Sequence, residues 1–214
     1  MSTPSPLRVA AVGVGHLGRH HARILSALPG ATALMLAYAP GTEDFKERLD
    51  RVLAFKAQAL FLPNFQADLT RQLGQARAAG FRGMFLGGDS WDSGRSFHTL
   101  PEAQGACFSV EYAVGSLGEE TRRAAEELTA KAGAELDKNT ALTLDAMELL
   151  FAAARAVGGT DSVSLRSGLT SLQGFKGLTG SISFAQGGDP LRSVRIMTIS
   201  GGKLVERKEL PPVR

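Results

Sequence analysis

The sequence predicts an α/β fold with a doubly wound, mainly parallel sheet and helices on both faces. Three observations lead there. Short apolar runs alternate with amphipathic helical stretches through the first half of the chain. Those runs are apolar throughout, as in strands buried on both faces. Gly and Pro punctuate nearly every junction between them. Right-handed crossovers through the intervening helices then make neighbouring strands parallel.

The elements follow in order. Residues 7–12 form the first apolar run, closed by Gly13. Leu17, Ile24, Leu25 and Leu28 give residues 16–28 a helical spacing that Pro29-Gly30 stops. A second strand over 32–38 ends at Pro40-Gly41. Thr42 is expected to cap the next helix, with Phe45, Leu49, Val52 and Leu53 on one face. A third strand over 57–62 ends at Pro63, and a helix over 68–79 closes at Gly80. Strands over 83–86 and 106–110 follow, with Gly87-Gly88 between them. The second half reads differently. Helices are expected over 119–131, 141–157 and 162–172, then short strands over 180–184, 193–200 and 203–207. Gly201-Gly202 reads as a hairpin turn between the last two. The expected organisation is a disordered start over 1–6 and a Rossmann-like lobe over 7–135. Helices and C-terminal strands over 136–214 complete or extend that lobe, as one domain overall.

Composition narrows the function classes. The chain has 214 residues, 43% hydrophobic and 21% charged, which is too apolar for a disordered chain. Its 25 glycines follow no triplet period, which excludes a collagen-like chain. The net charge is +3, without a basic stripe. Arg122-Arg123 is flanked by Glu119-Glu120 and Glu126-Glu127, so no nucleic-acid footprint is read. Cys107 is the single cysteine, and an internal disulfide is excluded. The apolar stretch over 9–14 is too short for a signal-peptide core or a membrane span. The expectation is a protein that is cytoplasmic as encoded and not inserted in a membrane.

One motif suggests a phosphate-type turn. Gly13-Val14-Gly15-His16-Leu17-Gly18 matches G-x-G-x-x-G, after a strand and opening a helix. Gly13 suits the tight turn, Gly15 a close pyrophosphate, and Gly18 close packing of helix on strand, with His16 and Leu17 between them. The matching acid is missing. The end of the second strand reads Leu36-Ala37-Tyr38-Ala39-Pro40, with no Asp or Glu for a ribose and no Arg for a 2′-phosphate. His16 and His20 lie four apart but have no third ligand, so no metal is expected. Ser90 lacks the closing Gly of a nucleophile elbow, and no P-loop is present. No catalytic residue is assigned.

Residues 7–31, with Gly13 to Gly18 followed by Arg19-His20-His21-Ala22, resemble the opening βα unit of the glucose–fructose oxidoreductase and inositol dehydrogenase family. That resemblance implies NAD(P). Yet the family's Glu-Lys-Pro segment, which supplies a catalytic Lys, has no counterpart here. No cofactor is therefore expected, and NAD(P) would be held weakly at most.

Residues 34–208 resemble a different family. Tyr38-Ala39-Pro40-Gly41-Thr42-Glu43-Asp44-Phe45, Ala59-Leu60-Phe61-Leu62-Pro63-Asn64-Phe65, Gln75-Ala76-Arg77-Ala78-Ala79-Gly80 and Leu86-Gly87-Gly88-Asp89-Ser90-Trp91-Asp92-Ser93 run in one order. Leu144-Asp145-Ala146-Met147, the stretch over 175–184 and Gly187-Gly188-Asp189-Pro190 continue it. This order is similar to type I periplasmic substrate-binding proteins of the leucine/isoleucine/valine type, which serve ABC transporters. The resemblance implies two lobes closing on an amino acid. It places Phe65 against the ligand and Asp89 on its ammonium group. Tyr38, Ser90 and Trp91 lie in the loops that would gather around them, at the carboxyl ends of the strands.

Two resemblances meet within 31–37. The leading expectation is therefore a non-enzymatic, engineered chimera with at most weak small-molecule binding. The alternatives are an NAD(P)-binding oxidoreductase fragment and a truncated natural substrate-binding component. In the resembled family, residues 140–184 cross to the other lobe. Their apolar face here is to bury against this sheet, bury against another copy or stay exposed, and a homodimer, with or without exchanged segments, is the testable reading among these.

Overall fold

A computed structural model describes residues 5–13, 15, 18–93, 97–112, 118–133, 136–184 and 188–212. These divide into two compact units. One contains the described residues up to Ser109 with Met197–Val205; the other contains Val110–Ile196 and the described residues from Glu206 on. The division falls at 109/110, where the sequence placed a boundary near 135 within one domain.

The first unit carries the parallel sheet. Its elements are β1 (Leu7–Val12), α1 (Gly18–Ala27), β2 (Ala31–Leu36), α2 (Lys46–Ala54), β3 (Ala59–Phe61), α3 (Gln66–Ala78), β4 (Met84–Gly87) and β5 (Cys107–Val110). Three short 3-10 turns, Asp89–Ser93, Phe97–Thr99 and Pro101–Ala103, link β4 to β5. Strands β9 (Val194–Ser200) and β10 (Lys203–Leu210) return to give the order β10-β9-β5-β4-β3-β1-β2. Each of β9 and β10 runs from one unit into the other along the chain. β1 pairs in parallel with β2 on one side and β3 on the other, with Val9 opposite Ala33 and Ala59. β3 to β4 and β4 to β5 are also parallel. The doubly wound sheet and the Gly201-Gly202 hairpin both follow the sequence pattern.

Burial explains the continuous apolar strands. Val9, Ala10, Ala11 and Val12 are all buried in β1, as are Leu60 and Phe85 in its neighbours. Trp91, Phe97 and Phe108 form an aromatic cluster with ring centroids 5.6–5.8 Å apart. Edge-to-face pairs of this kind add to what their buried area contributes. Gly87 makes room for the cluster, because a Cβ there would overlap the Trp91 ring.

Two local expectations are corrected. Thr42 does not cap α2; its hydroxyl closes a turn onto the Ala39 carbonyl at 2.7 Å. Buried Phe45 holds the cap position instead, and its N–H donates to Gln75 Oε1 on α3 at 2.8 Å. Phe45 gains more by entering the core than Thr42 gains by capping. The stripe predicted over 16–28 is also only partly used: Ile24 and Leu28 are exposed. α1 lies beside the edge strand β2, where less sheet is available to cover it.

The second unit contains α4 (Glu119–Lys131), α5 (Lys138–Val157), α6 (Ser162–Ser171) and a small antiparallel sheet. That sheet has the order β6 (Phe175–Gly177), β7 (Gly180–Phe184), β8 (Pro190–Leu191). Asp137 caps α5 through the Thr140 N–H, and Asp161 caps α6 through Val163 and Ser164. Asp145 of α5 is 3% exposed and pins the turn between β6 and β7. It accepts from the N–H groups of Leu178 and Thr179 at 2.6 and 2.9 Å, and from the Thr179 hydroxyl. That hydroxyl in turn accepts from Arg192 Nη2 at 2.7 Å. Burial lowers the Arg192 pKa, while Glu111 and Asp145 oppose the shift.

Tyr112 is buried in the same unit, and its hydroxyl has no hydrogen-bond partner among the described residues. Burial, then the charges of Asp145 and Glu126, push its pKa from 10 up to about 12. The folded value lies above the unfolded one. The neutral phenol's contribution is therefore complete below pH 10 and is lost as pH rises from 10 toward 12. Tyr112→Phe is expected to flatten the alkaline limb of the unfolding free energy by on the order of 2 kcal/mol. Urea titrations between pH 8 and 12 measure this. At pH 7 the same variant is expected to be neutral or slightly stabilising, because it removes an orphaned buried hydroxyl.

Candidate functional site

Parallel sheets bind ligands outside the carboxyl ends of their strands. In the first unit that edge is formed by Gly13 and Gly15 after β1, Tyr38 after β2, Asn64 and Phe65 after β3, and Asp89 and Ser90 after β4. The expected site residues His16 and Leu17 lie outside the described residues.

The turn after β1 is built around Gly13. Its φ is +117°, and a Cβ there would overlap the Asn64 side-chain amide. Its N–H donates to the Leu36 carbonyl at 3.0 Å and so carries the β1–β2 ladder one step further. Gly15 is exposed, and a Cβ there would meet nothing within 4 Å among the described residues. Gly18 is buried and starts α1.

Tyr38 is half-buried and committed to α3. Its hydroxyl donates to Asp68 Oδ2 at 2.7 Å, and its ring stands edge-on to Phe45 at 5.0 Å. Burial first, then Asp68, raise its pKa. Phe65 holds the cap position of α3 in extended backbone and is 72% exposed. An aromatic ring that open leaves a large apolar face at the sheet edge in water. Asp89 is exposed and opens the first 3-10 turn. Ser90 donates its hydroxyl to the Asn64 carbonyl at 3.1 Å, so the loops after β3 and β4 touch.

Trp91 is the correction among the site residues. It is wholly buried, and its indole N–H donates to the Leu62 carbonyl at 2.8 Å. The 3-10 turn rotates it away from the edge into the aromatic cluster, where its large apolar area is removed from water. The structure adds three residues that sequence reasoning missed. Asn64 is buried and donates from Nδ2 to the Val12 carbonyl at 3.0 Å and to Gln72 Oε1 at 2.7 Å. Asp68 and Gln72 complete this layer beneath the loops. The available signal was an amide directly after a strand, eight residues before another amide on the following helix.

Leu36, Ala37 and Tyr38 follow one another at the end of β2, the position where a dinucleotide site carries an acid for the ribose. Among the described residues no group of three His, Cys, Asp or Glu is placed to hold a metal ion. Nor is any helix long and apolar enough to cross a membrane.

A parallel sheet with an open carboxyl edge, built from alternating strands and helices, defines the class: a doubly wound α/β lobe. The sequence matches the periplasmic binding protein family over residues 19–203, and the chain belongs to that family. No curated protein matches it. Solved structures agree in fold. A leucine-binding protein, LivK, from Thermotoga maritima superposes with a TM-score of 0.82 at 22% identity, over 96% of this chain and 61% of that one. LivJ from Streptococcus pneumoniae, a branched-chain amino acid transporter substrate-binding protein in complex with isoleucine, gives 0.77 at 20% identity over 96% and 60%. A solute-binding protein of an ABC transporter from R. palustris, in complex with benzoate, gives 0.77 at 16% identity over 97% and 59%. The chain thus spans about three-fifths of the length of these relatives.

The two glycines of the turn are expected to behave differently. Gly13→Ala meets both the positive φ and the Asn64 amide, and should cost about 2–3 kcal/mol in urea unfolding. Gly15→Ala, with open space around it, should stay within about 0.5 kcal/mol.

Proposed function

We propose that this chain is a non-enzymatic ligand-binding component of the branched-chain amino acid type, linked to ABC transport. It takes a small amino acid weakly at the carboxyl edge of its parallel sheet. Asp89 pairs with the ligand ammonium and Phe65 packs on its side chain. The exposure of Phe65 beside the loop that opens with Asp89 carries this reading. A carboxylate next to an aromatic face is a good acceptor for a cation with an apolar tail. The natural-component reading is favoured over a chimera by one finding. The family match is continuous from residue 19 to 203 and crosses 31–37, where the two resemblances were expected to join. Weak affinity follows from the geometry, because an open edge by itself leaves part of the ligand in water.

Isothermal titration with leucine tests this. A dissociation constant near or above about 1 mM is expected, with binding lost in Phe65→Ala and in Asp89→Asn. Full affinity in both variants overturns the assignment. NADH is expected to give no heat under the same conditions, and micromolar NADH binding would favour an oxidoreductase fragment.

The apolar face of α5 supports self-association of this component. Met147, Leu150 and Phe151 are 40–49% exposed at helical spacing. Such a stripe is normally covered. Light scattering from 1 to 100 µM (about two decades around typical dimer constants) is expected to show a mass above one chain, and Phe151→Glu to return it to a single chain. A constant single-chain mass for the parent protein removes the homodimer.

A further inference from the structure

We infer that Asn64 is the positioning residue of the proposed ligand edge: its buried side-chain amide anchors residues 63–65 to β1 and α3, and its main-chain carbonyl, placed by that anchoring, receives the loop after β4. The inference rests on the reading of that edge as the ligand site. Asn64 is 8% exposed and sits between the end of β3 and the start of α3. Both hydrogens of its Nδ2 are spent on separate elements. One goes to the Val12 carbonyl at the end of β1, the other to Gln72 Oε1 on α3. Its own carbonyl accepts from the Ser90 hydroxyl in the loop after β4. The turn at Gly13 is shaped around it, since any side chain there would collide with the Asn64 amide.

The fourth loop joins through the same helix. Tyr38, after β2, donates to Asp68, one helical turn before Gln72 on α3. The Gln72 amide also lies against the Tyr38 phenol and opposes the rise in its pKa. All four loops of the edge are therefore referenced to one polar layer, made of the buried Asn64 and Gln72 and the partly exposed Asp68.

Energetics separate positioning from simple stabilisation. Gln72 is 1% exposed, and its Nε2 makes no hydrogen bond of ordinary geometry among the described residues. A buried amide pair adds little net stability, because its hydrogen bonds replace ones made to water. What it supplies beyond apolar side chains is direction. Hydrogen bonds fix distance and angle, whereas apolar contacts allow sliding. Phe65 follows Asn64 directly in the chain, and Asp89 directly precedes Ser90. The two proposed ligand contacts are thus each one residue from an atom of this layer.

The test pairs a ligand-free readout with a ligand readout. Asn64→Leu combined with Gln72→Leu keeps the space filled and removes the amide pair. Amide hydrogen exchange is expected to speed up at least ~10-fold in the loops after β1 and β4, while α2 is unchanged. Leucine affinity should fall at least ~10-fold; the urea midpoint should fall too, because the Val12 carbonyl loses its donor, and faster exchange confined to the edge loops with α2 unchanged separates positioning from a general loss of stability. Ser90→Ala, which keeps the amide pair and its fold, should loosen residues 88–91 and leave Gly13 as protected as in the parent. Unchanged exchange in both loops of the double variant overturns the inference, as does equal loosening at Gly13 in Ser90→Ala. If the parent binds no leucine, the ligand reading fails by itself. The exchange comparison then still decides whether Asn64 holds the loops together.

Discussion

The Val12 carbonyl is the last acceptor on β1, and the order of the ligand edge follows from how it is satisfied. A buried backbone carbonyl without a donor costs about as much as a lost hydrogen bond. Strand pairing cannot supply the donor, because β3 spans only Ala59–Phe61 and the chain beyond it is turning toward α3. A side chain must reach across, and Asn64 does so. That reach brings an amide against the backbone after β1, and only Gly fits there, at a φ few other residues adopt. The glycine that resembles a phosphate-turn residue is thereby required by packing under the turn. A cofactor above it is not needed to explain it.

The two units solve the problem of polar groups in opposite ways. The first keeps most polar atoms at the edge of an apolar interior, where Trp91, Phe97 and Phe108 fill the space below β4 and β5. The second places a carboxylate inside. Asp145 is tolerable there because two backbone N–H groups and a hydroxyl converge on it, and Arg192 reaches the same hydroxyl. The short β6–β7 turn in return has its N–H groups capped from α5. A two-residue β8 and a three-residue β6 are too short to hold a sheet by pairing alone. The buried Asp is the anchor that small sheet depends on.

Much of the fold was legible because it rests on periodicity. Continuous apolar strands, Gly and Pro boundaries and the Gly-Gly hairpin are local signals, and the corresponding elements form within a few residues of where they were read. The errors arose where a tertiary demand outweighed a local one. Thr42 is a good cap by type, yet Phe45 takes the position because it can enter the core. Trp91 reads as a mouth residue beside Asp89, yet the 3-10 geometry sends it inward. Asn64 was overlooked because its role is defined by partners 52 and 8 residues away, which no local pattern displays. The join expected at 31–37 leaves no mark in the family match, which runs from 19 to 203. βα units that solve the same packing problem look alike over short stretches, so 25 residues of likeness do not separate common descent from common physics.

The helix α5 ties the second unit to the question of affinity. A helix on a protein surface is normally apolar on one face only. On α5, Ala141, Leu149 and Ala153 are buried, while Met147, Leu150 and Phe151 on another face remain open. Apolar side chains on two faces are the pattern of a helix meant to lie between two layers. In the first unit Phe65 is likewise open, at the carboxyl edge of the parallel sheet. Both features are apolar surface whose covering would remove it from water, which makes them the points at which association is decided.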